Sequence, residues 1–458
     1  MNEKDLAQLS HPEAPVIKTA IPGPIAAKDF EKSLAYESMA RGAGKAPMVF
    51  AEGKGATVMD PDGNIFIDIT AGVAVNSVGR CHPRVIEAMK EQMGTLMHGT
   101  DGSALKRTEL AERISQIAPA GLRENCITHF GQSGSAAVET AIKFTRKITG
   151  RTQLAAFHGA YHGVWLGGNS LTTGDGYRKG YGPFIPGVVH LPYPYCYRCP
   201  FGMEHPSCNL QCAKYVDYVL NTPYTGADDV GALFIETIQG ESGYVPTPPG
   251  YLEEVKKACE KHGALFIVDE IQTGAGRTGK MWHIENTNVE PDMLTFGKGI
   301  GGDMPAAGLV MRRDLAAQIA DSSQPNTWGV NSVIAAAVLA NIDILTENDS
   351  ALIKRAGVLG ADISKWLKDA AQDIETIGDV RGEGLMIGIE MVEDKESKTP
   401  LSKEKMGNIT GGLLNNGVLM VPCGRYGNVF RFMPPLVLTR VQAEKVVEIF
   451  LDVIKKNQ

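Results

Sequence analysis

The sequence has few features of proteins that bind nucleic acid, cross membranes or are secreted. It has no run of five or six like charges, and acidic residues outnumber basic ones by 52 to 45, which argues against a nucleic-acid partner. No uninterrupted apolar stretch reaches the roughly 20 residues that a membrane span needs. The first residues, MNEKDLAQLSHPEAP, contain acids and lack the apolar core of a signal peptide. We therefore expect a cytoplasmic protein without membrane contacts.

Internal repeats and the common nucleotide-binding motifs are also missing. No Gly-x-Gly-x-x-Gly follows an early strand, and no Walker lysine motif occurs. Two rival classes are a nucleotide-binding α/β oxidoreductase and a catalytically silent scaffold. A protein that absorbs visible light as purified, and is bleached by borohydride, would exclude both.

Short apolar runs and helical patterns alternate through the middle of the chain. The runs at 231–236, 264–269 and 293–296 are typical of buried parallel strands. They predict an α/β fold with a mostly parallel sheet between helices. Further predicted elements are helices at 31–40, 82–97, 136–149 and 249–262, a hairpin at 57–69, and a long helix from about 330.

The length of 458 residues indicates two or three domains, because single cores rarely grow beyond about 250–300 residues. We expect a large domain at 80–330. Residues 331–458 should form most of a smaller α+β domain, which residues 1–79 join as an N-terminal arm.

Two segments carry groups that suit a planar, phosphorylated ligand. Residues 131–135 read GQSGS before a predicted helix, and a helix N-terminus offers free N–H groups and partial positive charge to a phosphate. The hydroxyls of Ser133 and Ser135 can add bonds, although an ordinary N-cap also explains them. In HGAYHG at 158–163, the Tyr161 ring can stack on a planar cofactor. A buried core tyrosine is the alternative.

An acid and a lysine follow on later strands. Asp269 ends an apolar run, and a carboxylate beneath a pyridine ring keeps the ring nitrogen protonated; a turn cap is the alternative. Lys298 lies among four glycines in TFGKGIGG. A lysine in a tight apolar loop has its pKa lowered by desolvation, which suits an amine nucleophile, whereas a solvated loop lysine is the commoner case.

Taken together, these segments resemble the class III (subgroup II) aminotransferases of fold type I, the pyridoxal-phosphate (PLP) family that includes 4-aminobutyrate, ornithine and ω-amino-acid transaminases. The resemblance runs from the hairpin at 53–64 to the Arg431 region. It is carried by SGSAAVETAIKFTR at 133–146, IVDEIQTGAGRTGKMW at 267–282 and the Lys298 loop.

The resemblance implies the site residues. Lys298 is the Schiff-base lysine and proton shuttle, and Asp269 pairs with the pyridinium nitrogen. A threonine at position 327 would reach the phosphate from a partner subunit, so the resemblance implies a homodimer with shared active sites, and tetramers occur. The implied cofactor-binding residues are Ser133, Gly134, Ser135, Tyr161, His162, Glu236, Asp269, Gln272, Lys298 and Thr327.

The implied substrate residues include a switchable ion pair. Glu241 matches a glutamate that pairs with an arginine, here Arg431, and releases it to grip the α-carboxylate of a keto acid. The 4-aminobutyrate enzymes carry an arginine where this chain has Val164, followed by Trp165. The difference favours a donor with another tail. Arg80 and Arg425 are further candidates to read it.

The function predicted from the resemblance is transfer of an amino group from an ω-amino donor, such as an ω-amino acid or taurine-like amine, to an α-keto acid such as 2-oxoglutarate or pyruvate. Some members of the family are instead amino-acid epimerases or racemases. A missing distal arginine is compatible with both activities.

Four cysteines lie close together in PYCYRCPFGMEHPSCNLQC. Their spacing suits tetrahedral zinc or an iron–sulfur cluster. Reduced thiols, or one or two disulfides, are the alternatives. These cysteines are Cys196, Cys199, Cys208 and Cys212.

Overall fold

A seven-stranded sheet forms the centre of the computed structural model, which describes residues 3–38, 40, 48–99 and 102–457. Every neighbouring pair is parallel except those made by Ala307–Arg312, which runs antiparallel to both neighbours. This confirms the predicted α/β fold. In spatial order the strands are Cys126–Gly131, Ala307–Arg312, Met293–Phe296, Leu265–Asp269, Val230–Glu236, Gln153–Phe157 and Val188–Leu191.

Both faces of this sheet are buried, which explains the continuous apolar runs in the sequence. In one strand Phe266 and Val268 join one hydrophobic cluster, whereas Ile267 joins another on the opposite face. The principal helices before the long C-terminal ones are Pro24–Tyr36, Pro83–Met93, Leu105–Ile117, Gly134–Thr149, Gln211–Asn221 and Tyr251–His262. Shorter helices are Glu3–Gln8, Ala71–Ala74, Leu166–Leu171, Asp175–Arg178 and Arg313–Ala316.

Some helix bounds differ from the predicted ones. The helix expected at 31–40 spans Pro24–Tyr36, because proline is well suited to a first helical turn; position 39 lies outside the described residues. The helix expected at 82–97 ends at Met93. The β-α-β unit at 230–269 is confirmed, with parallel pairing of Val230–Glu236 and Leu265–Asp269.

Two four-stranded sheets lie outside the central one. The first contains the predicted hairpin, Thr57–Met59 with Ile65–Asp68, together with Glu52–Lys54 and Val418–Leu419. The second consists of Ile377–Glu383, Met386–Met391, Val429–Phe432 and Pro422–Cys423, and a two-stranded ribbon joins Ile238–Gln239 to Val245–Pro246. Early and late segments thus share a sheet. The predicted domain boundaries stay a prediction.

The long helical segment predicted from about 330 spans Ser332–Ala371 and is interrupted at residues 347–350. Helices Lys403–Asn415 and Arg440–Lys455 complete the C-terminal region. Within the described residues, no helix is both long enough and apolar enough to cross a bilayer.

Candidate active site

A cavity of about 170 Å³ opens at the carboxyl ends of the central parallel strands. This is the edge at which open α/β sheets bind ligands. It brings together most residues predicted from the sequence. The lining residues are Ser133, Gly134, Ser135, Tyr161, His162, Gly163, Glu236, Ile238, Glu241, Asp269, Ile271, Gln272, Thr273 and Lys298.

Asp269 is the last residue of its strand and is held through both carboxylate oxygens. Oδ2 lies 2.7 Å from His162 Nδ1, and Oδ1 accepts a bond of 3.1 Å from the Ile271 N–H. Burial by itself would lower the pKa of His162, but the hydrogen bond and charge of Asp269 outweigh burial and raise it. The carboxylate therefore stays fixed in orientation.

Glu236 ends the neighbouring strand and ties two loops together. Its Oε1 accepts from the Tyr161 N–H at 2.9 Å, and its Oε2 accepts from the Gly240 N–H at 2.8 Å. Burial raises the pKa of Glu236 to about 7, and the charge of Asp269 acts in the same direction. This acid therefore positions backbone on both sides of the cavity.

The GQSGS segment forms the start of helix Gly134–Thr149. The Ser133 hydroxyl accepts a bond of 3.2 Å from the Ala136 N–H, so Ser133 is an N-cap, and the phosphate cradle stays a prediction. The N–H groups of the first helical turn point out of the helix, as anion-binding helix ends require. A Cβ at Gly163 would collide with the Ser135 hydroxyl, which explains a glycine there.

Lys298 follows the strand Met293–Phe296 and is itself in the left-handed region, with φ of 46°. Asn341 of the long helix donates 3.0 Å bonds to the carbonyls of Gly299 and Ile300 and so fixes the lysine loop. Burial lowers the pKa of Lys298, and nearby carboxylates only partly offset this effect. Lys298 lines the cavity together with three carboxylates, those of Glu236, Glu241 and Asp269.

Glu241 and Arg431 form an ion pair at the cavity. Arg431 Nη1 lies 2.6 Å from Glu241 Oε1, and Arg431 also donates to the Pro422 carbonyl at 3.3 Å. Glu241 lines the cavity whereas Arg431 lies behind it. A ligand carboxylate that displaced Glu241 would therefore find a nearly buried guanidinium.

Other predicted residues lie outside the cavity lining. Val164 and Trp165 are each 47% exposed, and Thr327 is exposed as well. Arg80 pairs with Asp68, and Arg425 donates to Ser242 and to the His158 carbonyl. Both arginines therefore already bind other groups of the protein.

Several cavity residues were not predicted from the sequence. Gly163, Ile238, Ile271 and Thr273 line the cavity, and each is adjacent or close to a predicted residue. A second tyrosine, Tyr177, packs edge-to-face against Tyr161 with ring centroids 5.0 Å apart. Nothing in the local sequence pattern singles out Tyr177, which belongs to a single helical turn.

The four clustered cysteines are free thiols that line a separate small cavity of about 20 Å³ with His205. Burial raises the pKa of Cys212 to about 11 and also raises that of Cys196. In the described part of the chain, no three His, Cys, Asp or Glu side chains are arranged to hold a metal ion.

Comparisons with known proteins show the family to which the chain is similar. A model of the aminotransferase class-III family matches residues 38–454. The alanine/serine racemase of Pyrococcus horikoshii is 38% identical over 97% of this chain and 93% of its own length. The diaminobutyrate–2-oxoglutarate aminotransferase of Rhizobium meliloti is 33% identical over 87% of this chain and 86% of its own.

Solved structures show the same fold. The (S)-enantioselective ω-transaminase from Thermomicrobium roseum superposes with a TM-score of 0.86 at 28% identity. The superposition covers 94% of this chain and 99% of that one. This chain and that transaminase therefore share one fold over nearly their whole length.

The residues present fit PLP, the cofactor of this family. Among the described residues, the buried Gln272 Oε1 and His162 Nε2 have no hydrogen-bond partner, and both residues line the cavity. A lysine, a strand-end carboxylate and a helix N-terminus surround the same space. The chain belongs to the class III aminotransferase family of PLP-dependent enzymes.

Proposed function

We propose that this enzyme transfers an amino group from a primary ω-amine, such as an ω-amino acid or a taurine-like compound, to an α-keto acid such as 2-oxoglutarate or pyruvate. The observation that carries the proposal is the 2.6 Å ion pair of Glu241 and Arg431 beside the cavity. An amine without an α-carboxylate leaves this pair closed. A keto acid replaces Glu241 on the arginine, because guanidinium and carboxylate match in two parallel hydrogen bonds.

Lys298 is the proposed base. Its Nζ removes the proton from the amino-bearing carbon of the donor and delivers a proton to the keto-acid carbon in the second half of the reaction. Burial lowers its pKa, so a larger share of the amine is neutral at a given pH. A neutral amine is the form that accepts a proton.

Bound PLP supplies an electron-withdrawing ring. We assign Asp269 to hold the proton on the ring nitrogen, with His162 and the Ile271 N–H fixing its two oxygens. Tyr161 would stack on the ring, and Gln272, whose Oε1 has no partner among the described residues, would bond a ring substituent. Residues Ser133, Gly134 and Ser135 would hold the phosphate.

A homodimer with shared active sites is part of this proposal, with a tetramer as a larger form. The exposure of Thr327 and of Trp165 and Trp328 is what a surface that meets a second copy would show.

We also propose a cytoplasmic location. Glu236 would act by positioning Tyr161 and Gly240.

A second candidate function is racemisation or epimerisation of an amino acid. It is favoured by the 38% identity to an alanine/serine racemase over 97% of this chain. A racemase takes the proton from one face of Cα and returns one to the other. It needs no keto acid, whereas a transaminase cannot turn over without one.

One experiment separates these functions. Single enantiomers of α-amino acids and a panel of ω-amines are incubated with the PLP-loaded enzyme, with and without 2-oxoglutarate or pyruvate. Product amines and stereochemistry are followed by chiral chromatography. We expect product only when the keto acid is present. Loss of configuration without a keto acid would replace our proposal by the racemase.

A further inference from the structure

Tyr177 places a phenol hydroxyl next to the carboxylate that pairs with Arg431. Its Oη lies 3.5 Å from Glu241 Oε2, whereas Glu241 Oε1 is the oxygen bound to Arg431. The Tyr177 ring packs against Tyr161, which lines the cavity. Burial raises the pKa of Tyr177, and the charge of Glu241 acts in the same direction. The phenol is therefore a neutral hydrogen-bond donor.

The backbone that carries Tyr177 is held from two sides. Arg178 donates to the carbonyls of Asn169, Ser170 and Thr172 at 2.7, 3.1 and 2.6 Å. The Asn169 side-chain amide in turn donates to the Tyr177 carbonyl at 2.7 Å. These bonds fix the backbone of Tyr177 to helix Leu166–Leu171, and the contact with Tyr161 positions its ring.

The two contacts of the Glu241 carboxylate, with Arg431 and with Tyr177, differ in length. Hydroxyl–carboxylate bonds normally measure about 2.5–3.0 Å, so the contact with Tyr177 is long, while the contact with Arg431 is short. The backbone of Glu241 is fixed, since its carbonyl accepts from the Gly424 N–H at 2.9 Å. Only the side chain has to turn for the tyrosine contact to shorten.

A displaced Glu241 needs a new partner, because a half-buried carboxylate without hydrogen bonds is destabilised. We propose that Tyr177 is a positioning residue that receives the Glu241 carboxylate when a substrate carboxylate occupies Arg431. The inference rests on the proposed function and deepens it, because it adds a group that makes the arginine available to α-keto acids. Tyr177 acts through Glu241 and does not itself touch the reacting atoms.

The test compares Tyr177→Phe with Tyr181→Phe. The first removes the hydroxyl and keeps the ring against Tyr161; the second alters an exposed tyrosine of the same segment. For each enzyme, kcat/KM is measured for 2-oxoglutarate, for pyruvate, and for a primary amine without a carboxylate. We expect Tyr177→Phe to lower kcat/KM roughly tenfold for the keto acids and to leave the amine value unchanged. Tyr181→Phe should match the wild type.

Two results would overturn the inference. If Tyr177→Phe lowers the values for amine and keto acids equally, the residue is merely structural. If it changes neither, the hydroxyl does not receive Glu241. Arg431→Gln is measured in parallel, since unchanged keto-acid kinetics in that variant would reject the proposed function itself. A loss in Arg431→Gln without one in Tyr177→Phe would reject only the role of Tyr177.

Discussion

The two sides of the cavity are built differently. The cofactor side consists of Asp269 at a strand end, the helix start at 133–135, and His162 and Gln272, which lie in the segments that follow two strands of the central sheet. The substrate side consists of Glu241, Arg431 and Tyr177. Its groups lie on a turn, a short strand of another sheet and a single helical turn, and its central contact is the ion pair that, in our proposal, a keto acid replaces.

This difference suggests a division of roles. The cofactor side carries the chemistry that is common to all substrates, and the substrate side selects between substrates. Groups at the ends of buried strands are held by the sheet itself, so they keep one geometry through both half-reactions. Groups on turns and loops can change partners at a low cost in free energy. Variants on the cofactor side should therefore affect all substrates alike, whereas variants on the substrate side should discriminate between them.

Lys298, between the two sides, should show the largest effect. In Lys298→Ala we expect turnover to fall by at least roughly ten-thousandfold, because no other amine replaces the base. The fold should stay intact, since the Lys298 side chain lines a cavity and is not part of a hydrophobic cluster. Steady-state assays and thermal melting check this, and wild-type rates in the variant would contradict the assignment.

Asp269→Asn tests the cofactor side. We expect kcat to fall about a thousandfold for every donor, because a neutral amide no longer stabilises the protonated ring nitrogen. Asp292→Asn is the matched control. Asp292 is also a buried acid near a strand end, but it bonds Lys256, Arg312 and the Phe266 N–H.

In the control variant we expect a loss of roughly 3 kcal/mol in unfolding free energy and an unchanged kcat of the folded enzyme. Chemical denaturation and rapid kinetics measure the two quantities. Similar kcat losses in both variants would mean that Asp269 acts only on stability.

Arg431→Gln tests the substrate side. We expect kcat/KM for 2-oxoglutarate to fall about a hundredfold, the value of a lost charge-assisted pair. The value for an amine without an α-carboxylate should stay near that of the wild type. Equal losses for both substrates would remove the contrast between the two sides.

Glu236 contacts both sides of the cavity. Its substitution should have the smallest effect, which is a change in how the free energy of unfolding depends on pH. Its pKa is raised on folding from 4.5 to about 7. The folded state therefore binds this proton more tightly, and the contribution of Glu236 to wild-type stability falls as the pH rises from about 4.5 to 7. Without cofactor, Glu236→Gln should gain on the order of 3 kcal/mol relative to the wild type across this range.

Denaturant titrations of both proteins at pH 4.5 and pH 8 measure this difference. A gap that is the same at both pH values would show that Glu236 has an ordinary pKa in the folded protein.

Much of the fold was predictable because a strand that is buried on both faces appears in the sequence as a continuous run of apolar residues. The strand at 230–236 is buried along its whole length, and the strand at 265–269 nearly so. The helix ends were less certain, since local capping decides them. Four strands of the central sheet were not predicted, namely Cys126–Gly131, Gln153–Phe157, Val188–Leu191 and Ala307–Arg312. The antiparallel direction of the last depends on the chain's return path, which leaves no mark on side-chain periodicity.

The cofactor side was predictable for the same reason, since each group follows a recognisable strand or helix start. The substrate side was only partly predictable. Glu241 and Arg431 came from the family resemblance, and Tyr177 was missed because its contact with Glu241 spans 64 residues of chain. The cysteine spacing predicted metal chemistry as one alternative, but sequence spacing alone does not fix how thiols are oriented.

The sheet shared by the hairpin and Val418–Leu419 has a consequence for biosynthesis. Ile67 pairs with Val418, so the edge of this strand beyond the Val16–Ile65 bridge remains unpaired until about 350 further residues have been made. At about 5–20 residues per second, that delay is tens of seconds. Arg431 emerges later still, so its ion pair with Glu241 can form only near the end of synthesis.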